Sequence, residues 1–156
     1  PIGVVGGSVG QVFYKEAATL HSNNQDVKPV FIKSVKITLL FAVPICLFVF
    51  FFGEWFFTLY LGKEWEIVGK GAKIMIVPIF FNFLTSPVSS VQLVYNKQFK
   101  AYLFSLFGYL ISVLGLILGY YQAHDFLQAL IYFAVGQTIY YLLLFTWYYS
   151  LISKKG

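Results

Sequence analysis

The side chains best suited to chemistry in this sequence are hydroxyls and amides, and they concentrate between Gly71 and Asn96. On a helical wheel of about 100° per residue measured from Asn82, the positions Thr85, Ser86, Ser89, Gln92 and Asn96 fall at about 300°, 40°, 340°, 280° and 320°, and Ser90 flanks them at about 80°. The opposite arc holds Val77, Phe80, Phe81, Phe83, Leu84, Val88, Val91, Val94 and Tyr95. A helix divided in this way has an oily back and a hydrogen-bonding front. Such a front is costly in hydrocarbon, so it faces neighbouring helices or a wet cavity. Asn82, Thr85, Ser86, Ser89 and Ser90 are therefore candidates for lining a path for a polar molecule. The competing reading is interhelical glue, a common use of small hydroxyl residues in membranes. Pro87 lies inside the same segment, where it removes a helical hydrogen bond and predicts a kink.

Other chemistries find no support. His21 and His124 fall in loops on opposite faces of the expected membrane, so they cannot share a metal or act as a catalytic pair. Glu64 and Glu66 would stand about 200° apart on a helix rather than side by side. The glycines at 3, 6, 7 and 10 share one helical face, but no Gly-Lys-Ser/Thr ending follows and no strand precedes them, which argues against a nucleotide loop and for close helix packing. No acid or base lies in the middle of an apolar run, so a proton relay or ion-coupling carboxylate is not expected within these residues. Gln137 and Thr138 are an adjacent polar pair deep in an apolar run, suited equally to interhelical hydrogen bonds and to cavity lining. No enzyme, metal or cofactor site is expected.

The elements that must position these residues are membrane spans. The 156 residues are 59% hydrophobic and only 11% charged, against about 25% charged in a soluble domain, which predicts an all-α polytopic membrane protein. The apolar runs predict the end of one span over 1–13 and four complete spans over 37–53, 71–95, 101–121 and 126–152. Pro44 interrupts the second run as Pro87 interrupts the third, and both are candidate hinges. His21 to Pro29 is expected to form an exposed loop, and Glu54 to Lys70 an amphipathic turn at the membrane surface with Trp55 and Trp65 in the interfacial belt. Ser105, Gly108, Ser112, Gly115 and Gly119 form a small-residue seam for close packing. Cys46 is the only cysteine, so no internal disulfide is expected. Pro1 is not an initiator methionine, and the first residues are neither a basic leader nor a whole span, so the chain reads as part of a longer one.

All the basic residues are lysines, and the net charge is +5. Lys15, Lys28, Lys33, Lys36, Lys97, Lys100, Lys154 and Lys155 fall on one side of the predicted spans, and Lys63, Lys70 and Lys73 on the other. A surplus confined to short loops is a topology signal rather than a nucleic-acid footprint. By the positive-inside rule the first group, and with it the C-terminus, is cytoplasmic.

The order of a Gly-rich span running into VGQVFYKEA (Val9 to Ala17), a polar loop, a Phe-rich span ending in FFGEWFFTLYLGKEW (Phe51 to Trp65) and then SPVSSVQLVYNKQ (Ser86 to Gln98) resembles the C-terminal half of bacterial polysaccharide flippases. These are the O-antigen and exopolysaccharide translocases of the multidrug, oligosaccharidyl-lipid and polysaccharide exporter superfamily. The resemblance implies a two-lobed helical bundle in the bacterial inner membrane, of which this chain would be the end of the eighth helix and helices nine to twelve. It also implies a substrate, undecaprenyl-diphosphate-linked oligosaccharide, moved to the outer leaflet by alternating access in polysaccharide biosynthesis. Membrane lipids and the polysaccharide polymerase machinery are the further partners it implies. On that view Asn82, Thr85, Ser86, Ser89, Ser90 and Gln137 would meet sugar hydroxyls. Lys28, Lys33, Lys36, Lys97 and Lys100 would attract the diphosphate, with attraction to anionic lipid headgroups as the plainer and favoured alternative. A drug exporter of the same superfamily and a small non-transporting membrane scaffold are the alternatives.

Overall fold

A computed structural model of the chain describes residues 2–153, with side-chain surroundings described for 6–122 and 124–153. Lys154, Lys155 and the start of the predicted partial span at Pro1 lie outside those residues. Within them the chain is helical and no strand occurs. The elements are α1 (Ile2–Ser22), α2 (Lys28–Leu61), α3 (Glu66–Thr85), α4 (Val91–Val94), α5 (Gln98–Ala123) and α6 (Phe126–Ser153). Four stretches are long and apolar enough to cross a membrane, namely Lys28–Leu61, Lys63–Val94, Gln98–Gln122 and Phe126–Ser153.

The element boundaries follow local chemistry. The predicted polar loop is shorter than its composition suggests, because α1 stays helical to Ser22 and α2 begins at Lys28. Pro29 occupies the first turn of α2, where its missing N–H is no loss. The Asp26 carboxylate accepts a hydrogen bond from the Lys28 amide at 2.9 Å, and Val27 turns inward and is buried. From there α2 runs for 34 residues, about 51 Å, well beyond the ~30 Å hydrocarbon core. It passes through Pro44 without interruption.

The expected surface turn over 54–70 is mostly helix. Nothing between Glu54 and Leu61 breaks the pattern, so α2 continues to Gly62, whose φ of 99° suits a residue without a Cβ. A single 3-10 turn, Lys63–Trp65, then leads into α3.

The striped segment also departs from one continuous helix. α3 ends at Thr85 and is followed by a 3-10 turn, Ser86–Val88, and then by the short α4. Pro87 has no N–H to continue the ladder. Both the amide and the hydroxyl of Ser89 donate instead to the Ser86 carbonyl, at 3.2 and 2.8 Å. The single-helix angles therefore hold from Asn82 to Thr85 and lapse beyond it. Pro78, by contrast, lies buried inside an unbroken α3.

α2 packs along α3, α3 along α6 and α6 along α5, while α1 lies against α2 and the Pro87 turn. The glycines set how closely these pairs approach. A Cβ on Gly69 would stand 2.6 Å from the Glu54 Cα, one on Gly119 2.8 Å from the Ala129 Cα, and one on Gly115 3.0 Å from the Tyr132 carbonyl. The α5 seam read from the sequence thus meets α6 along its length. The N-terminal glycine face is used in part: Gly6 meets Phe83 and Gly10 meets the Pro87 backbone, each at 3.5 Å from the would-be Cβ, whereas Gly7 meets nothing within 4 Å.

Buried side chains gather at the end of the bundle that holds the 23–27 and 95–97 turns. Phe13, Phe31, Val88, Val91, Leu144, Tyr148 and Ile152 form the centre of this core. The Phe31 ring lies 6.2 Å from Phe13, 5.7 Å from Phe145 and 6.1 Å from Tyr149, tying α1, α2 and α6 together. Elsewhere large apolar residues such as Leu40, Phe51, Tyr60 and Tyr109 are exposed, an outward apolar surface far larger than a water-soluble monomer carries and suited to lipid.

The glycine contacts give a direct test. Gly69→Val and Gly119→Val should each cost about 1–3 kcal/mol through overpacking and lower the melting temperature of the detergent-purified protein, while Gly7→Val should leave it unchanged. Equal melting of all three variants would show that the α2/α3 and α5/α6 contacts are not this close.

Candidate functional site

The polar residues singled out in the sequence fall into two places. The first is the break between α3 and α4. Asn82 and Ser86 are exposed, Ser89 and Ser90 are half-buried, and Thr85 is buried. The Thr85 hydroxyl lies within hydrogen-bonding distance of two carbonyls, donating to Phe81 O at 3.1 Å and Asn82 O at 3.0 Å, so it satisfies the end of α3. The opposite side of the break is anchored: Pro87, Val88, Val91 and Val94 are buried against the core, and Gly10 of α1 sits over the Pro87 backbone. The break therefore presents hydroxyls on one side and is held by packing on the other. Within it Ser90 Oγ and Gln92 Oε1 are buried with no hydrogen-bond partner among the described residues. A buried polar atom without a partner costs about 1–3 kcal/mol. These two atoms mark the place where polarity exceeds what the surrounding residues satisfy.

The second place is a groove between α1 and α2 near the same end. Its larger part, about 580 Å³, is lined by Val12, Lys15, Glu16, Thr19, Leu20 and Val30. An adjoining part of about 210 Å³ shares Val12 and Glu16 and adds Lys33 and Ser34. Lys33, a headgroup candidate from the sequence, lines this part from the second turn of α2. Lys15 and Glu16 are the additions of the structure, because an amphipathic turn of helix does not disclose which neighbour it will lie against. The face of α1 that carries Phe13 and Ala17 into the core is turned by about 110° from the middle of the one that lines this groove, and Leu20 lies at the boundary of the two. The structure thus does not bring Lys33 together with the hydroxyls of the break.

The remaining candidates are separate. Gln137 Nε2 donates to Ser112 Oγ at 2.8 Å, and Ser112 in turn donates to the Gly108 carbonyl at 2.7 Å, so this amide is used across the α5/α6 interface. Thr138 donates to the Ala134 carbonyl of its own helix at 2.7 Å. Lys36, Lys97 and Lys100 are exposed at the same end of the bundle as Lys28, and Pro44 lies on an exposed face of α2. A small cavity of about 160 Å³ at that end is bounded by His21, Asn24, Gln25, Asp26, Val27, Tyr95 and Ile152. Its His21 and Tyr95 rings lie 4.5 Å apart. Burial, and secondarily the Asp26 carboxylate, push the Tyr95 phenol above its ordinary value. Among the described residues no cluster of His, Cys, Asp or Glu could hold a metal ion.

Four long apolar helices with an outward apolar surface define a multi-pass membrane protein. Within that class, residues 1–70 match the family model described as polysaccharide biosynthesis protein. The match covers α1, α2 and the first turn of α3, a little under half of the chain, and it points to a part in polysaccharide biosynthesis. No curated protein and no solved structure matches the chain.

Accessibility separates the two readings of the break. With the native Cys46 replaced by Ser, single cysteines at Asn82, Ser86 and Ser89 should react with a small aqueous thiol reagent in intact membranes, and cysteines at Leu84 and Val91 should not. Protection of all five positions would assign the hydroxyls to helix packing.

Proposed function

We propose that the chain is part of a translocase that carries a lipid-linked oligosaccharide, of the undecaprenyl-diphosphate type, from the cytoplasmic to the outer leaflet of a bacterial inner membrane. The observation that carries the reading is the break at Pro87. A membrane helix opens there into a short run of serines whose polar side is not used up by neighbouring helices, and non-helical backbone at membrane depth is tolerated where it is buried in protein or lines a cavity. Asn82, Ser86, Ser89 and Ser90 would offer hydrogen bonds to sugar hydroxyls, and Gln92 joins them through its unpartnered oxygen. Thr85 supports the end of α3, and Gln137 helps hold α5 against α6 behind the site.

The end of the bundle that carries Lys28, Lys33, Lys36, Lys97 and Lys100 would face the cytoplasm, as the positive-inside rule requires, with the C-terminus on the same side. The opposite turns carry Glu64, Glu66 and Asp125 beside Lys63 and Lys70. A diphosphate headgroup arriving from the cytoplasmic leaflet meets the lysine-rich end first, and the α1/α2 groove with Lys15 and Lys33 is the place on that end where cations adjoin an apolar trough. Moving a headgroup across a bilayer breaks no covalent bond, so the function asks for binding groups and two shapes rather than for a nucleophile or a general base.

Alternation between those shapes would act at Pro87. In cells lacking the gene, Pro87→Ala should restore surface polysaccharide several-fold less well than the wild-type protein at equal protein level, because an unbroken ladder disfavours one of the two shapes. Normal export at normal level would remove Pro87 from the mechanism. Restoration of drug resistance without any effect on surface polysaccharide would overturn the oligosaccharide reading.

A further inference from the structure

The two lysines in the first half of α3 are used differently. Lys70 is tied to Glu66 one turn earlier, with Nζ 2.6 Å from the carboxylate. Lys73 has no carboxylate within ion-pair distance among the described residues, and its ammonium lies 5.1 Å from the centre of the Phe50 ring. That ring and Lys73 form one end of a groove of about 490 Å³ between α3 and α6. The rest of its wall is apolar: Ile74 and Val77 on α3, and Ile131, Val135 and Ile139 on α6. Thr138 also lines the groove, and its hydroxyl is directed to the Ala134 carbonyl, leaving its donor no need of a further partner.

The dimensions fit one lipid chain. Ile131 and Ile139 lie eight residue steps apart on α6, about 12 Å along the helix, and half of the ~30 Å hydrocarbon core is one leaflet. The groove thus descends through most of one leaflet from a cation at its rim. A cation held over an aromatic ring keeps its donors free for an anion, which cation–π contact does not neutralise. Charge complementarity selects a headgroup with a net negative charge over a zwitterionic one, whose own ammonium would compete with Lys73.

We propose that this groove is a binding site for an anionic phospholipid, with one acyl chain along α6 and the phosphate at Lys73, in the leaflet on the side of the Lys63–Trp65 turn. The site lies on the opposite end of the bundle from the α1/α2 groove and does not rest on the identity of the transported molecule.

Native mass spectrometry of the purified full chain, titrated with phosphatidylglycerol and separately with phosphatidylcholine, tests it. Phosphatidylglycerol should bind about fivefold more tightly, the worth of roughly one lysine at a membrane surface. Lys73→Gln should abolish that preference and Lys73→Arg retain it, while Lys70→Gln should leave it unchanged. Val135→Trp, a substitution at an exposed groove position, should weaken both lipids by filling the trough. Three results would overturn the proposal: equal binding of the two lipids to the wild-type chain, a preference that survives Lys73→Gln, or displacement of phosphatidylglycerol by a much smaller amount of polyprenyl phosphate. The last would assign the groove to a polyprenyl carrier instead.

Discussion

Hydrocarbon gives a polar group no water to fall back on, so each hydroxyl carried into the membrane must find its partner within the protein. Most of those described here do so in the same way. Thr38, Thr58, Thr85, Ser105, Ser112 and Thr138 donate to the carbonyl four residues earlier in their own helix. Back-bonding of this kind makes a hydroxyl almost invisible to its surroundings. It explains how an apolar span can carry many Ser and Thr residues without each one marking a site. It also isolates Ser90 and Gln92, whose buried oxygens have no such partner among the described residues.

The break at Pro87 has two unlike sides. Val88 and Val91 are completely buried, and Gly10 lets α1 approach the Pro87 backbone. A local loss of helix is usually a source of slack. Here the apolar side is clamped between α1, α2 and α6, so the hydroxyl side is held in place by packing behind it. A site that must present several weak hydrogen-bond donors together gains from such support, since positions held by packing keep their geometry better than positions on a free loop.

The helices were legible from hydropathy because length and apolarity are the properties a membrane selects for, and the four spans follow from them. Their ends were less legible. The tract from Glu54 to Leu61 reads as interfacial from its Trp and acid, yet nothing in it stops a helix, and it remains one as far as Gly62. The stripe from Asn82 to Asn96 reads as one surface only while the helix is continuous, and one missing N–H at Pro87 voids the wheel beyond Thr85. Gln137 was open between two uses until Ser112 was placed opposite it. Lys15 and Glu16 were undistinguished until α2 lay beside them. Pro78 sits inside an unbroken α3 whereas Pro87 lies in a break, although the residue type is the same. In each case the missing information was which neighbour a side chain meets, and that is a property of the packing rather than of local sequence.

Two packing regimes meet in the bundle. Within the lipid, burying a leucine against another helix gains little, because the acyl chains it displaces are equally apolar, and close approach of backbones carries the association instead. That accounts for the placing of Gly69, Gly115 and Gly119, each at a point where a side chain would collide with the facing helix. Towards the 23–27 and 95–97 turns water returns, and the contacts change character: Phe13, Phe31, Tyr148 and Ile152 are buried as in the core of a soluble protein. The hydrophobic effect operates at that end and fades along the spans. Tolerance to substitution should follow the same gradient, with size increases harmful along the spans and truncations harmful at the basic end, because the first regime depends on the absence of atoms and the second on their presence.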